Sequence, residues 1–286
     1  MIWVINHISE YDESFPTFRY YREVIGRENI RIYCAKDGET FDFLMSDDIV
    51  LLRSGDSSMV KSLIARQNEV GFISTVESPT TIATAYNKAK IKSILVKAGI
   101  RTPRSFSLNE VTDGQLYFVK PMFGEDSKGI SLQSVCHSTD EIERYARNLS
   151  MDGLTPIIEE YIDGTDCTVA VIRDAHTGEI NTYAIDIEVD NEFGIQTEEV
   201  KSGTIAYCQP TSTPSVNEIS RKVFKAVDAK HYMRIDYRIT KEGVPYLIDL
   251  NIFPGFGIAG YMYRSLMLTQ NKSYRDFIME ILNSAS

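Results

Sequence analysis

The stretch that decides the architecture runs from Met233 to Gly255, MRIDYRITKEGVPYLIDLNIFPG. Two apolar runs, MRIDYRI and YLIDLN, flank a turn signal at Lys241–Gly243, so the segment reads as an antiparallel hairpin. Within these strands Asp236, Asp249 and Asn251 interrupt apolar neighbours. Side chains alternate faces along a strand, so Asp249 and Asn251 share a face, and pairing across the hairpin brings Asp236 beside them. Three oxygen donors at one spot, with few nitrogen or sulfur competitors, suit Mg²⁺, which takes one or two carboxylates and keeps positions for phosphate oxygens. Arg234 lies on the face of Asp236 and can stabilise phosphoryl charge.

Two upstream stretches carry compatible chemistry. In FVKPMFGEDSKGISL (118–132) a lysine, Lys120, ends an apolar strand and a loop with Gly124, Ser127 and Gly129 follows. Glycines let backbone N–H groups approach oxyanions closely, and an exposed strand-end lysine adds a point charge, so this reads as a flap over phosphates. In PIIEEYIDGTDCTVAVI (156–172) an apolar strand ends in two acids, an aromatic and a glycine turn. A backbone edge with one carboxylate for an adenine, and a second carboxylate for ribose hydroxyls, would use such an arrangement. Each stretch alone is equally a surface hairpin or a charged strand end.

The remaining chain supplies the frame. MIWVIN, NIRIYCA, DDIVLLR and VGFIST read as buried strands alternating with helical stretches, a small parallel sheet without a GxGxxG fingerprint. SPTTIATAYNKAKIKSILVKAGI (78–100) reads as one connecting helix with Ser78 as N-cap, Gly99 as stop and Ile82, Ala85, Ala89, Ile91, Leu95 and Val96 on its apolar face. Strands are expected at RSFSL, LYFVKP and GISLQSV, with a helix from Ser138 opened by a capping box to Glu141. A polar loop from Asn191 to Thr213 carries the isolated Lys201, and a single helix is expected to close the chain.

Composition narrows the class. The 286 residues are 43% hydrophobic and 24% charged, enough to build a core. Thirty Lys and Arg against 40 Asp and Glu leave a net charge of −10, which argues against a nucleic-acid partner. Nothing approaches the roughly 18 apolar residues of a membrane span. The four cysteines, Cys34, Cys136, Cys167 and Cys208, are scattered without a CxxC pair, which suits a reducing cytoplasm. A cytoplasmic α/β enzyme is the expectation, with a homodimer left open.

Taken in order, the motifs resemble the ATP-grasp superfamily of carboxylate–amine ligases. VKPMFGEDSKGIS, EEYIDGTDCTVAVI and RIDYRITKEGVPYLIDLNIFPG are similar to motifs of D-alanine–D-alanine ligases, and Asn87–Lys88 stands where that family has DK before a GIPxP segment. The ribosomal-protein glutamate ligase family shares most of these features, and its Arg closing the third strand resembles VLLRSGD. The resemblance implies two α+β subdomains gripping ATP, preceded by a small Rossmann-like domain. The units would be residues 1–85, a lid at 86–160 and a metal-bearing part at 161–286.

Carried over by residue, it implies that Lys88 and Lys120 bind ATP phosphates under the Ser127 loop. Glu159 would hold the adenine amino group, the backbone of Glu160, Tyr161 and Ile162 its ring edge, and Asp166 the ribose. Lys201 would reach the γ-phosphate. Asp236, Asp249 and Asn251 would hold two Mg²⁺ ions, or Mn²⁺, while Arg234 and the Gly255 N–H would stabilise an anionic intermediate. An amino acid or peptide would be phosphorylated on its carboxylate and the acyl phosphate attacked by an amine. The alternative is an ATP-binding regulatory protein of this fold without turnover.

Departures bear on the substrate. Asp249 stands where Glu is usual, one methylene shorter. The first strand lacks the family's Gly-rich loop and its Glu, for which Glu10 is at best a displaced substitute, and Gly260 stands where a substrate-binding Ser is expected. Arg53, Tyr261 and Arg264 are available instead. Two guanidinium groups facing the cleft would favour a substrate with an additional carboxylate over D-alanine.

Overall fold

The computed structural model describes residues 1–8, 11–123, 129–203 and 206–286, with backbone alone described at 11–17 and 201–203. The apolar runs of the first 77 residues form strands β1 (Ile2–His7), β2 (Ile30–Ala35), β3 (Ile49–Leu52) and β4 (Ile73–Ser74). They pair in parallel in the order β2-β1-β3-β4. Helices α1 (Tyr11–Ile25) and α2 (Ser57–Val70) make two of the crossovers. The β2–β3 connection is a chain of turns rather than the expected helix. Its Phe41 and Leu44 are buried in the core, and Phe43 packs against Trp3 and Tyr33 with tilted rings, so loop side chains cover the sheet where a helix would have lain.

The expected single helix at 78–100 is two, α3 (Pro79–Ala85) and α4 (Lys88–Lys97). Ser78 caps the first as anticipated, accepting from the Thr81 N–H. Asn87 breaks the run: its backbone is extended and its side chain accepts from the Lys90 N–H at 3.0 Å, a second N-cap. The break rephases the helix. Ile82, Ile91 and Leu95 are buried, while Ala89 and Val96 face solvent.

Among the described residues, β5 (Ser105–Phe106), β6 (Tyr117–Pro121), β7 (Val135–Cys136) and β8 (Pro156–Glu160) form a four-stranded antiparallel sheet in the order β5-β8-β6-β7. Of the expected GISLQSV strand only Val135 is strand, and Leu132–Ser134 form a 3-10 turn. Ser131 receives the Gln133 N–H, and Ser134 the Ser131 N–H, so hydroxyls take groups a ladder would have used. Helix α5 (Thr139–Met151) covers this sheet. Ser138 caps it, and the Glu141 carboxylate reaches back to the His137 N–H, one residue before the position expected for a capping box.

The C-terminal sheet has the order β11-β10-β9-β12-β13, from β9 (Thr165–Arg173), β10 (Ile180–Glu188), β11 (Tyr207–Pro210), β12 (Tyr232–Ile239) and β13 (Pro245–Asn251). Its strands pair antiparallel. Helix α7 (Ser215–Ala226) buries Val216, Val223 and Phe224 against one face. Helix α6 (Glu198–Gly203) and β11 lie within the segment expected to be a loop. The closing helix is likewise two, α8 (Tyr261–Gln270) and α9 (Tyr274–Asn283). Asn271 ends α8 in the left-handed region at φ 52°, and Ser273 with Asp276 forms a capping box for α9.

The chain end returns to the beginning. Phe277 and Ile281 of α9 share a buried cluster with Val4, Tyr21 and Leu51, and Ser286 exchanges both backbone hydrogen bonds with Ser74. None of the helices among the described residues is long and apolar enough to cross a membrane.

Candidate functional site

The hairpin pairs as the alternation requires: Arg234 faces Asn251 and Asp236 faces Asp249. Asp236 is held in place by the Arg234 guanidinium, whose Nη2 donates at 3.0 Å, and by the Thr168 hydroxyl at 2.6 Å. Asp249 has the Lys88 ammonium 3.4 Å away. Asn251 accepts the Phe253 N–H at 2.7 Å and so shapes the turn leading to Gly255. The described residues contain no cluster of three or more His, Cys, Asp or Glu, so a cation here would take two carboxylates, one amide oxygen and ligands from outside the chain. That all-oxygen donor set fits a hard divalent ion, and the Lys88 ammonium already marks the position as one that attracts positive charge.

One residue breaks the hairpin register. Tyr237 faces Leu247, which leaves Ile248 as an extra residue on β13, a bulge. Its carbonyl instead accepts from Lys120, at 2.9 Å, across from the other sheet. Lys120 was expected at an exposed strand end, but only 6% of it is exposed, because β13 lies over the end of β6. Its ammonium also meets Glu159 Oε2 at 2.9 Å, while Lys92 meets Oε1 at 2.6 Å and donates to Ser105. Burial disfavours both charges, yet the attraction wins: Glu159 and Asp249 hold Lys120 above its ordinary pKa, and Lys120 with Lys92 holds Glu159 below its own.

Asp166 is equally committed. Arg238 Nη1 donates to its Oδ1 at 2.8 Å and Gln196 to its Oδ2 at 2.9 Å. The same guanidinium donates to the carbonyls of Ile162, Phe193 and Gly194, binding the loop after β10 to the sheet. Arg238 and Lys92 were missed from sequence. A signal existed for Arg238, which shares its strand face with Arg234 and Asp236 in RIDYRI. Lys92 lies one helical turn beyond Lys88, a relation visible only once the helix is known to restart at Asn87.

Between the two antiparallel sheets lies a cleft of about 870 Å³, part of it open to solvent. Phe118, Phe123, Ile130, Tyr161, Ile195 and Ile248 give it apolar walls, and Lys88, Lys120, Glu159, Asp166, Asp236 and Asp249 line its polar end. Glu160 ends β8, its carboxylate accepting the Arg104 N–H. An apolar slot that ends in lysines and carboxylates suits a planar ring carrying a phosphate tail.

The loop after β13 and its surroundings carry the remaining expected residues among those described, none of which lines this cleft. The Gly255 N–H has no acceptor among the described residues. Arg53, just past the end of β3, donates through Nη2 to the carbonyls of Phe253 and Pro254 and lies 4.0 Å from the Phe256 ring centroid, while its buried Nη1 has no hydrogen-bond partner among the described residues. Arg264 donates to the Ala206 carbonyl and stands over Tyr261, whose hydroxyl burial pushes up to about 12. At Gly260 a Cβ would stand 3.0 Å from the Gly257 carbonyl oxygen and 3.2 Å from that of Gly255, so a side chain there would crowd the turn. Ser127 and Glu10 lie outside the described residues, as does the Lys201 side chain.

A five-stranded antiparallel sheet facing a four-stranded one across such a cleft is the ATP-grasp architecture. The D-alanine–D-alanine ligase of Bacillus anthracis, solved in complex with ATP, superposes with a TM-score of 0.73 at 20% identity, covering 99% of this chain and 96% of that one. The VanG D-Ala:D-Ser ligase of Enterococcus faecalis gives 0.75 at 16% identity, covering 99% and 98%. In sequence, a D-alanine–D-alanine ligase of Cupriavidus metallidurans is 23% identical over 248 residues, 82% of this chain and 73% of the relative. One from Aquifex aeolicus is 28% identical over 193 residues, 63% of this chain and 62% of the relative. The family profile described as D-ala D-ala ligase C-terminus matches residues 93–283, and the chain belongs to that family of ATP-dependent carbon–nitrogen ligases.

Proposed function

We propose that the protein joins the carboxylate of one amino acid or peptide to the amine of another, through an acyl phosphate, with release of ADP and phosphate. The observation that carries this is the set of paired charges across the cleft: Asp236 opposite Asp249 on one sheet, Lys120 reaching over from the other. A carboxylate resists amines because its charge repels nucleophiles and its oxygen leaves poorly. Transfer of the γ-phosphoryl group to that oxygen removes both obstacles.

In this reading Lys88 and Lys120 hold the phosphates, with Ser127 and, from α6, Lys201 closing over them. Glu159 and the backbone of Glu160, Tyr161 and Ile162 take the adenine, and Asp166 the ribose. Glu159 and Asp166 are each already bound by two side chains, but an ionised carboxylate has about four acceptor sites, so each retains capacity for a ligand donor. Asp236, Asp249 and Asn251 are the residues that would hold Mg²⁺, or Mn²⁺, and the ion would offset charge on the phosphates. Arg234 and the Gly255 N–H face the charge that develops on the acyl carbon's oxygen as the amine attacks. The apolar walls exclude water that would hydrolyse the acyl phosphate. We assign residues 1–85, 86–160 and 161–286 as the three working units, a division supported by the presence of one sheet in each.

For the substrate, we favour an acidic amino acid or a peptide C-terminus over a pair of D-alanines. A side chain at Gly260 would crowd the carbonyls of Gly257 and Gly255, and the buried Nη1 of Arg53, without a partner among the described residues, is a donor that a second carboxylate would satisfy on entering. The test measures ADP release with ATP and metal on D-alanine alone and on amino-acid pairs that include Asp or Glu, with product masses. Robust turnover on D-alanine alone would remove the acidic-substrate reading. ATP binding with no amine-dependent ADP release on any pair would favour a regulatory nucleotide-binding protein.

A further inference from the structure

Helix α4 touches both jaws of the cleft with side chains one turn apart. Lys88 reaches Asp249 on β13, and Lys92 reaches Glu159 on β8 and Ser105 on β5. Lys92 does not line the nucleotide-sized cleft; it borders a smaller cavity behind it, between α4 and β13. Glu159 therefore stands between a lysine that faces the cleft and one that does not.

We propose that Lys92 is a positioning residue for phosphate binding: by occupying Oε1 of Glu159 it leaves Lys120 on Oε2 and gives the trio a net charge of +1 at the phosphate end of the cleft. Without Lys92, Glu159 would neutralise Lys120 one to one. Lys120 would then present less positive potential, and its direction toward the Ile248 carbonyl would be less constrained. The inference rests on the nucleotide reading above and concerns a residue that acts only through its neighbour.

The experiment compares wild type with Lys92→Met, Lys92→Gln and Lys92→Arg by direct titration with ATP and with AMP in the presence of Mg²⁺, alongside kcat and KM. Loss of one unit charge roughly 10 Å from the phosphates, at an effective dielectric of about 20, corresponds to about a tenfold weakening. ATP should therefore bind Lys92→Met and Lys92→Gln about tenfold more weakly, and AMP, which lacks the β- and γ-phosphates, within about twofold of wild type. The KM for ATP should rise while kcat stays within about threefold, and Lys92→Arg should restore most of the affinity. Wild-type ATP affinity in Lys92→Gln, or parallel weakening of ATP and AMP as expected from general damage to the fold, would overturn the proposal. If wild type itself binds no ATP, the ligase reading falls first and this inference with it.

Discussion

Replacing Arg238 by Met should be among the most damaging single changes in the protein. The guanidinium is 4% exposed and serves four acceptors: the Asp166 carboxylate and the carbonyls of Ile162, Phe193 and Gly194. Removing it leaves a buried carboxylate with Gln196 as its remaining side-chain partner among the described residues, and takes the guanidinium from the carbonyls of Ile162 and Gly194 and from that of Phe193, which keeps the Tyr161 hydroxyl, a loss of about 3–5 kcal/mol by the usual cost of breaking a buried pair. At about 2–4 °C per kcal/mol, the melting temperature should fall by roughly 6–20 °C. Arg238→Lys should recover only part of this, because an ammonium can hold Asp166 but cannot match the planar fork to three carbonyls. Ile195 and Gln196 line the cleft on the loop that Arg238 anchors, so ATP affinity should fall in both variants, measured below their melting temperatures. Denaturant titration gives the stability change and calorimetric titration the affinity. An Arg238→Met protein within about 1 kcal/mol of wild type would refute the idea that this residue fastens the loop to the sheet.

Asp249→Asn should reduce kcat more than ATP affinity, because a metal-ligating carboxylate matters most as charge shifts onto the transferring phosphoryl group, and excess Mn²⁺ should restore part of the rate. Unchanged activity without added metal would place the cation elsewhere. The Lys92–Glu159–Lys120 cluster should also show in the pH dependence of stability. Glu159 titrates below its ordinary 4.5 in the fold, so its contribution is complete above that value and fades as pH falls through the lower folded one. Lys120 titrates above its ordinary 10.5, so its contribution is complete below that value and fades as pH rises further. Glu159→Gln should therefore be markedly less stable than wild type at pH 7, with the gap closing below about pH 4. A gap that stays constant between pH 3 and 7 would contradict the coupling. Gly260→Ser should destabilise the turn rather than confer turnover on D-alanine, which the ADP-release assay and a melting curve would check together.

Much of this protein is determined locally. Short apolar runs rich in Val, Ile and Leu become strands because their burial on a sheet outweighs other conformations, and alternation with hairpin pairing places Asp236, Asp249 and Asn251 on one face. Ser78 and Ser138 mark helix starts because each side chain satisfies an N–H that the helix cannot. What failed from sequence depends on competition between local signals. Asn87 and Asn271 each interrupt a continuous helical pattern, since a capping amide or a left-handed backbone is locally as good as another turn.

The charge network was decided by tertiary structure alone. Lys120 follows an apolar strand like any surface lysine, and only the packing of β13 over β6 buries it and delivers the bulged carbonyl of Ile248 to its ammonium. Lys92 and Glu159 are 67 positions apart, and Arg53 meets a carbonyl 201 positions away. No period or motif encodes such distances. They arise because desolvated charges must find partners, and which partners lie within reach is set by how the sheets come together.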